Sequence, residues 1–137
     1  MKKLFYCLLV AFGLSLLATS CEKDPSGSDD SNIIGTWLLY KDYEDGEWYY
    51  YDIDDYLSCV EFYKNGKGLY FYYDPYYEEI DWSAEFKWKL SGDKIYITLM
   101  GETDYGKIIK FTDKELVVEY EDGDYIAYFK KIDSIDL

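Results

Sequence analysis

The sequence predicts an all-β domain, folded as an antiparallel up-and-down barrel of about eight strands, on three observations. Apolar and polar residues alternate with a period of two in several short runs, most clearly over residues 84–90. Turn sequences such as Asn65-Gly66 separate these runs. Helical periodicity is absent from residue 21 onward, apart from one short turn expected near residues 76–81. Because consecutive antiparallel strands leave exposed edges, we expect closure into a barrel.

The expected strands follow one another with short connections. The first covers residues 35–43, and a partner is expected after the turn at 44–46. The complete set of expected strands is 35–43, 47–52, 57–63, 68–73, 84–90, 94–100, 107–112, 116–121 and 125–131. Eight strands enclose an interior that holds side chains or one small ligand.

The chain begins with a targeting segment. Lys2 and Lys3 precede an apolar run over residues 4–17, which is too short to span a bilayer and ends at the small residues 18–20. Residues 17–21 (Leu-Ala-Thr-Ser-Cys) resemble the lipobox of bacterial lipoproteins. The resemblance implies cleavage before Cys21, a thioether-linked diacylglycerol on Cys21 and acylation of its amine, which together anchor a protein without crossing the membrane. The alternative is an ordinary secretory signal that contains a cysteine.

The sequence divides into four segments. Residues 1–20 are the expected signal peptide, and residues 21–32 are the lipidated cysteine with an acidic, flexible tether. Residues 33–132 form the barrel domain and residues 133–137 a tail. The acids after Cys21 resemble the surface-export signal of Bacteroidetes lipoproteins, so the domain is expected at the outer membrane. Both the periplasmic and the surface-exposed side remain open.

The charge of the chain excludes one class of function. Without residues 1–20, which contain two lysines and no acid, the chain has 12 basic against 28 acidic residues, a net charge of about −16. Such a domain repels phosphate backbones, so nucleic acid binding is not expected. Cys59 is the only cysteine left once Cys7 is removed and Cys21 lipidated. It is expected as a small buried residue on a strand, with a reactive thiol as the alternative.

Catalysis, metal binding and cofactors find little support. The chain has no histidine, which removes the commonest general base and metal ligand, and it has no glycine-rich phosphate loop. We therefore predict no enzyme, no cofactor and no metal site. The acidic runs at 52–55 and 121–124 lack the spacing of a calcium loop and are expected as solvated turns.

One family resemblance covers nearly the whole domain. The opening of the first strand, Ile34-Gly35-Thr36-Trp37, resembles the Gly-x-Trp start of lipocalins. The later runs around Phe62, Trp88 and residues 108–131 are similar to small lipocalin-like domains of Bacteroidetes lipoproteins. The resemblance implies that Gly35 and Trp37 take part in closing one end of the barrel.

Two functions follow as hypotheses, beside a third class, an enzyme, which would require an isolated carboxylate pair desolvated in a cleft. In the first, the membrane-anchored barrel binds a small apolar or glycan-like ligand, either inside or at a tyrosine-rich mouth. The expected inward side chains are Val60, Phe62, Leu69, Phe71, Phe86, Trp88, Ile97 and Val118. In the alternative, the barrel is filled and an outer face binds a protein partner of the cell envelope. The tyrosine clusters at 49–51 and 70–77 fit either hypothesis, or they are simply good strand formers.

Overall fold

The computed structural model describes residues 30–52, 54–133 and 135. Cys21, the signal peptide and the tether up to residue 29 lie outside the described residues. One helical turn precedes nine strands in the described part of the chain. The elements are α1 (Asp30–Ile33), β1 (Gly35–Glu44), β2 (Glu47–Tyr50), β3 (Leu57–Phe62), β4 (Lys67–Asp74), β5 (Glu79–Ser91), β6 (Lys94–Leu99), β7 (Glu102–Phe111), β8 (Glu115–Tyr120), a 3₁₀ turn (Glu121–Gly123) and β9 (Tyr125–Ile132).

The strands form a closed antiparallel barrel, as predicted. Consecutive strands from β3 through β9 pair with each other. Strand β1 closes the ring by pairing with β3 on one side and with β9 on the other. Eight strands therefore make the barrel wall. The ninth, β2, is a short addition that forms a hairpin with the second half of β1, pairing Glu44 with Glu47 and Lys41 with Tyr50.

Two strands are longer than the alternation of the sequence suggests. The short turn expected near residues 76–81 lies at residues 75–78 and is not helical, and β5 already begins at Glu79. A bulge at Asp81 places Ile80 and Trp82 on opposite faces of the sheet. It interrupts the alternation of apolar and polar residues, so the sequence does not indicate the start of β5. Strand β7 begins at Glu102 rather than at residue 107. The alternation of the sequence does not reveal its first half, because the early inward positions hold Asp104 and Gly106 instead of apolar residues.

The barrel interior is the main hydrophobic core. Of the eight side chains expected to face inward, Val60, Phe62, Phe86, Ile97 and Val118 belong to this cluster, and half-buried Trp88 packs against it. The inward placement of Leu69 and Phe71 is wrong. Both belong to a second cluster with Leu38 and Cys59 on the other face of the sheet.

The register of β4 explains this error. Strand β4 has apolar or aromatic residues on both faces, so alternation alone cannot orient it. Pairing places Gly68 opposite Phe62 and Tyr70 opposite Val60, so Gly68 and Tyr70 face inward and Leu69 and Phe71 face outward. A side chain at position 68 would collide with the Phe86 ring, which requires glycine there.

One end of the barrel, named here the capped end, carries α1 and the connections β3–β4, β5–β6 and β7–β8. Ile33 and Trp37 are fully buried there, and Trp37 Nε1 donates a hydrogen bond to the carbonyl oxygen of Ile33 at 2.8 Å. The Trp37 and Phe111 rings pack edge to face, with their centroids 6.2 Å apart. No helix among the described residues is long and apolar enough to cross a membrane.

Candidate functional site: the tyrosine end of the barrel

The opposite end of the barrel, named here the tyrosine end, is lined by inward-facing aromatic side chains. Tyr70 and Ala84 form a register pair that packs against the core, and the next inward pair is Tyr72 with Trp82. The Tyr72 and Trp82 ring centroids lie 5.2 Å apart. Tyr70, Tyr72 and Ala84 are only half-buried and Trp82 is 37% exposed, although all four point to the inside. Solvent therefore reaches the inner wall at this end.

A buried carboxylate lies on the inner face of β1 near the same end. Asp42 is fully buried, and its Oδ2 accepts hydrogen bonds from the hydroxyl groups of Tyr51 at 2.8 Å and Tyr125 at 3.1 Å. Its Oδ1 is also buried and accepts no hydrogen bond from any described residue. Burial raises the pKa of Asp42, and the two tyrosine hydrogen bonds partly oppose that rise. The two phenol groups that donate hydrogen bonds to Asp42 are neutral, so they do not compensate the negative charge of its ionised carboxylate.

A bulge in β1 determines that Asp42 faces inward. Trp37 and Leu39 point into the core, so simple alternation would place Lys41 inside and Asp42 outside. The pairing with β9 shifts by one residue between Leu39 and Lys41, which makes Tyr40 the extra residue. Asp42 is thereby paired with inward-facing Ala127. No pattern in the sequence marks this bulge, so Asp42 was not among the predicted site residues.

A second acid, Asp104, is buried on the inner face of β7. It is 6% exposed and pairs in register with Ile97 of β6. Its Oδ1 accepts a hydrogen bond from the backbone N–H of Tyr105 at 2.7 Å. Sequence reasoning missed Asp104 as well, because the acid sits where alternation would require an apolar residue. Both buried acids lie two residues from the end of their strands at the tyrosine end.

The two ends of the barrel differ in charge. The connections at the tyrosine end, residues 44–47, 51–56, 74–79, 99–102 and 120–125, contain 13 acids and no lysine. Among the described lysines, Lys41 alone lies in the half next to these connections. The others lie toward the capped end, where Lys131 Nζ donates to the carbonyl oxygen of Asn32 at 3.1 Å. The tyrosine end is therefore a region of concentrated negative potential.

Other aromatic residues form a patch on the outside of the barrel, named here the Lys41 patch. The Lys41 ammonium lies 4.5 Å from the Tyr128 ring centroid and 5.1 Å from that of Trp48. The Trp48 ring stacks on the Tyr50 ring with their centroids 6.5 Å apart, and its centroid lies 5.2 Å from that of the Tyr43 ring. Trp48 and Tyr50 are both exposed, with Tyr50 at 73%. The tyrosine run at 49–51 thus contributes to two sites, since Tyr51 turns back to Asp42.

The remaining predicted residues lie where their chemistry suggests. Gly35 opens β1 with φ of 126°, a conformation that favours glycine, and Trp37 lies in the capped end. Cys59 is buried on β3, as expected. Burial raises the pKa of the Cys59 thiol to about 12, which leaves the thiol protonated and argues against a reactive role.

Comparisons with known proteins agree with this architecture. A family model described as a lipocalin-like domain matches residues 33–118. No curated protein matches the chain. Among solved structures, a lipocalin-like protein from Bacteroides uniformis ATCC 8492 has a TM-score of 0.60 and 19% identity, covering 74% of this chain and 99% of that chain. An uncharacterized protein from Bacteroides eggerthii DSM 20697 has a TM-score of 0.61 and 21% identity, covering 73% of this chain and 99% of that chain.

The two solved structures are similar to the chain in fold. The family match extends over more than half of the chain and begins at Ile33, in the capped end. Together with the closed antiparallel barrel, it establishes that the chain belongs to the family of lipocalin-like domains.

Proposed function

We propose that the protein is a membrane-anchored lipoprotein whose barrel binds a small ligand at the tyrosine end. The observation that carries this proposal is the incomplete burial of three inward-facing aromatic side chains, Tyr70, Tyr72 and Trp82, on the inner wall of the tyrosine end. Inner walls of this kind are typical of small-molecule sites, which combine aromatic surface with a few polar groups.

The chemistry of the wall favours a ligand with apolar faces and hydrogen-bond donors. Aromatic rings offer flat surface to hydrocarbon or to the C–H face of a sugar. Ser58, whose register partner is Tyr72, and the buried carboxylate of Asp42 supply polar contacts on the inner face. An apolar or glycan-like molecule matches this combination. No group in this wall suggests a reaction, and we propose a binding role rather than an enzymatic one.

The membrane anchor is supported by the sequence around Cys21. Helix α1 lies at the capped end, so a tether that precedes it starts there. The tyrosine end would then face away from the membrane, where a ligand has free access. We propose that the anchor lies in the outer membrane, with the surface-exposed and the periplasmic side both open.

Ligand binding is tested by native mass spectrometry of the full chain in lipid nanodiscs. We expect a retained small molecule, reduced about fivefold in Tyr72→Ala because one stacked ring contributes on the order of 1 kcal/mol. Tyr96→Ala is the matched control, since Tyr96 lies on the outer face of β6 beside Tyr105. A wild-type protein that never carries a small molecule, even after incubation with envelope extracts, would contradict the proposal.

The anchor is tested by cell fractionation. We expect the wild-type protein in the membrane fraction and Cys21→Ser in the soluble fraction, because the thioether cannot form on serine. Cys59→Ser is the control for loss of a cysteine. Protease treatment of intact cells then separates the two locations: digestion indicates surface exposure, and full protection indicates the periplasm.

A second function, binding of an envelope protein, is favoured by the Lys41 patch. Its exposed Trp48 and Tyr50 are residue types that often dominate protein interfaces. Cross-linking from intact cells should then return a reproducible partner that is lost in Trp48→Ala. Loss of the small molecule in Tyr72→Ala without loss of any partner in Trp48→Ala would favour the ligand-binding function.

A further inference from the structure

We propose that the ligand of the tyrosine end carries a protonated amine, and that its ammonium group binds Oδ1 of Asp42. This inference rests on the proposed function and adds the chemical class of the ligand. It begins from Asp42, a carboxylate of the inner wall whose two oxygens differ sharply in their contacts.

The hydrogen bonds around Asp42 leave a defined binding position. Tyr51 and Tyr125 both donate to Oδ2, and they hold the carboxylate from two different elements, the segment after β2 and strand β9. Oδ1 is left as a buried acceptor without a donor among the described residues. A buried acceptor in this state costs free energy that a bound donor would recover. The carboxylate is therefore held in place for a partner that the described residues do not supply.

A cationic donor fits this position better than a neutral one or a metal ion. A buried carboxylate needs its charge compensated, and the two phenol groups supply hydrogen bonds but no positive charge. The neighbouring Lys41 points to the outer face, where its ammonium lies against Tyr128 and Trp48. Calcium takes six to eight oxygen ligands, far more than one carboxylate oxygen supplies. A charge-assisted hydrogen bond from an ammonium group meets both needs.

The surroundings favour a cation independently of Asp42. The 13 acids in the connections at this end, without a lysine among them, create a potential that raises the local concentration of organic cations. Aromatic faces attract cations as well, and the rings of Tyr72 and Trp82 lie on the inner wall of the same end. The acids would guide an amine to the barrel, and Asp42 would hold it.

Of the two hydroxyl donors to Asp42, Tyr51 is the more exposed. Tyr125 is 2% exposed, whereas Tyr51 is half-buried and begins the connection to β3, in which the side chains of Asp52, Asp54, Asp55 and Tyr56 are all exposed. Since Oδ1 is closed off from solvent, an amine reaches it only when a neighbouring group moves. Binding of the amine therefore requires local movement around Asp42.

The test compares two probes of the same shape, 2-phenylethylamine, which is protonated at pH 7, and the neutral 2-phenylethanol. Calorimetric titrations use the full chain in nanodiscs, with empty nanodiscs as blank and 0.5 M NaCl to screen exposed acids. We expect the wild type to bind the amine at least about tenfold more tightly than the alcohol, as a hydrogen bond between charged groups implies.

Two variants locate the binding. Asp42→Asn should lose at least about tenfold in affinity for the amine and keep its affinity for the alcohol within about threefold. Asp122→Asn is the matched control, because Asp122 is exposed at the same end and its φ of 54° is a conformation that asparagine accepts. It should bind both probes like the wild type. Circular dichroism checks that each variant is folded.

A second measurement keeps the inference testable if Asp42→Asn does not fold. In the wild type, carbon-13 NMR should show the carboxyl resonance of Asp42 shifting on addition of the amine and not on addition of the alcohol. The inference is overturned if the wild type binds both probes equally, if Asp42→Asn keeps its amine affinity, or if neither probe binds. The proposed function would still stand in each case if native mass spectrometry finds a retained neutral molecule.

Discussion

Single residues on the inner face carry strong physical constraints, and Asp42 is the clearest of them. Burial raises its pKa above the value of about 4 that it has in the unfolded chain. Between these two values the folded state keeps a proton that the unfolded state has lost, so stability falls as the pH rises through this window and is regained on acidification. Asparagine at this position stays neutral at every pH and removes the effect.

This predicts a pH-dependent difference between the wild type and Asp42→Asn. The free energy of unfolding of the wild type, minus that of the variant, should increase as the pH is lowered from 7 to 4. Urea denaturation at several pH values measures it, and subtraction removes the contribution of the other acids. Asp122→Asn serves as the control for losing one exposed acid. A difference that does not change with pH would contradict the buried, ionisable state of Asp42.

Gly68 carries a steric constraint. A Cβ at this position would lie 2.7 Å from the carbonyl oxygen of Glu61 and would overlap the Phe86 ring. We expect Gly68→Ala to destabilise the fold by about 1 to 3 kcal/mol, the usual cost of overpacking a core. Ser83→Ala, at an exposed position on the neighbouring strand β5, should change stability by less than about 0.5 kcal/mol. Equal stability of the two variants in urea would show that the inward orientation of Gly68 is wrong.

Among the elements, α1 depends entirely on tertiary contacts. A four-residue helix is not stable by itself, and α1 is held by the buried Ile33 side chain and by the hydrogen bond from Trp37. Ile33→Ala should therefore cost about 2 to 5 kcal/mol and open the capped end to solvent. Ile109→Ala, at a 44% exposed position on β7, makes the same chemical change at the surface and should cost less than about 1 kcal/mol. The melting temperatures of the two variants measure this difference.

Across the whole molecule, the separation of charge predicts a response to salt. Thirteen acids crowd the connections at the tyrosine end, and their mutual repulsion destabilises the folded state. Raising NaCl from 0.01 to 1 M shortens the Debye length from about 30 to 3 Å and should raise the melting temperature. A variant with Asp54→Asn, Glu79→Gln and Asp122→Asn should respond less. An equal response in this variant would place the repulsion elsewhere.

The strands and the closed barrel could be predicted from the chain because their causes are local. Alternation over residues 84–90 and turn pairs such as Asn65-Gly66 reflect which neighbours face water and where the backbone reverses. The Gly35-Thr36-Trp37 opening likewise pointed to the family that the match over residues 33–118 establishes. The burial of Cys59 followed from its place in an apolar strand.

The inner surface of the tyrosine end required the tertiary structure. Bulges at Tyr40 and Asp81 reverse the faces of the residues that follow them, and they exist only because β1 and β5 pair with particular partner strands. The same holds for Leu69 and Phe71, whose outward direction is set by Gly68 against Phe86. Alternation shows that a strand has two faces, but the register between strands decides which face is inside. For that reason Asp42 becomes visible as a binding group only in the folded barrel.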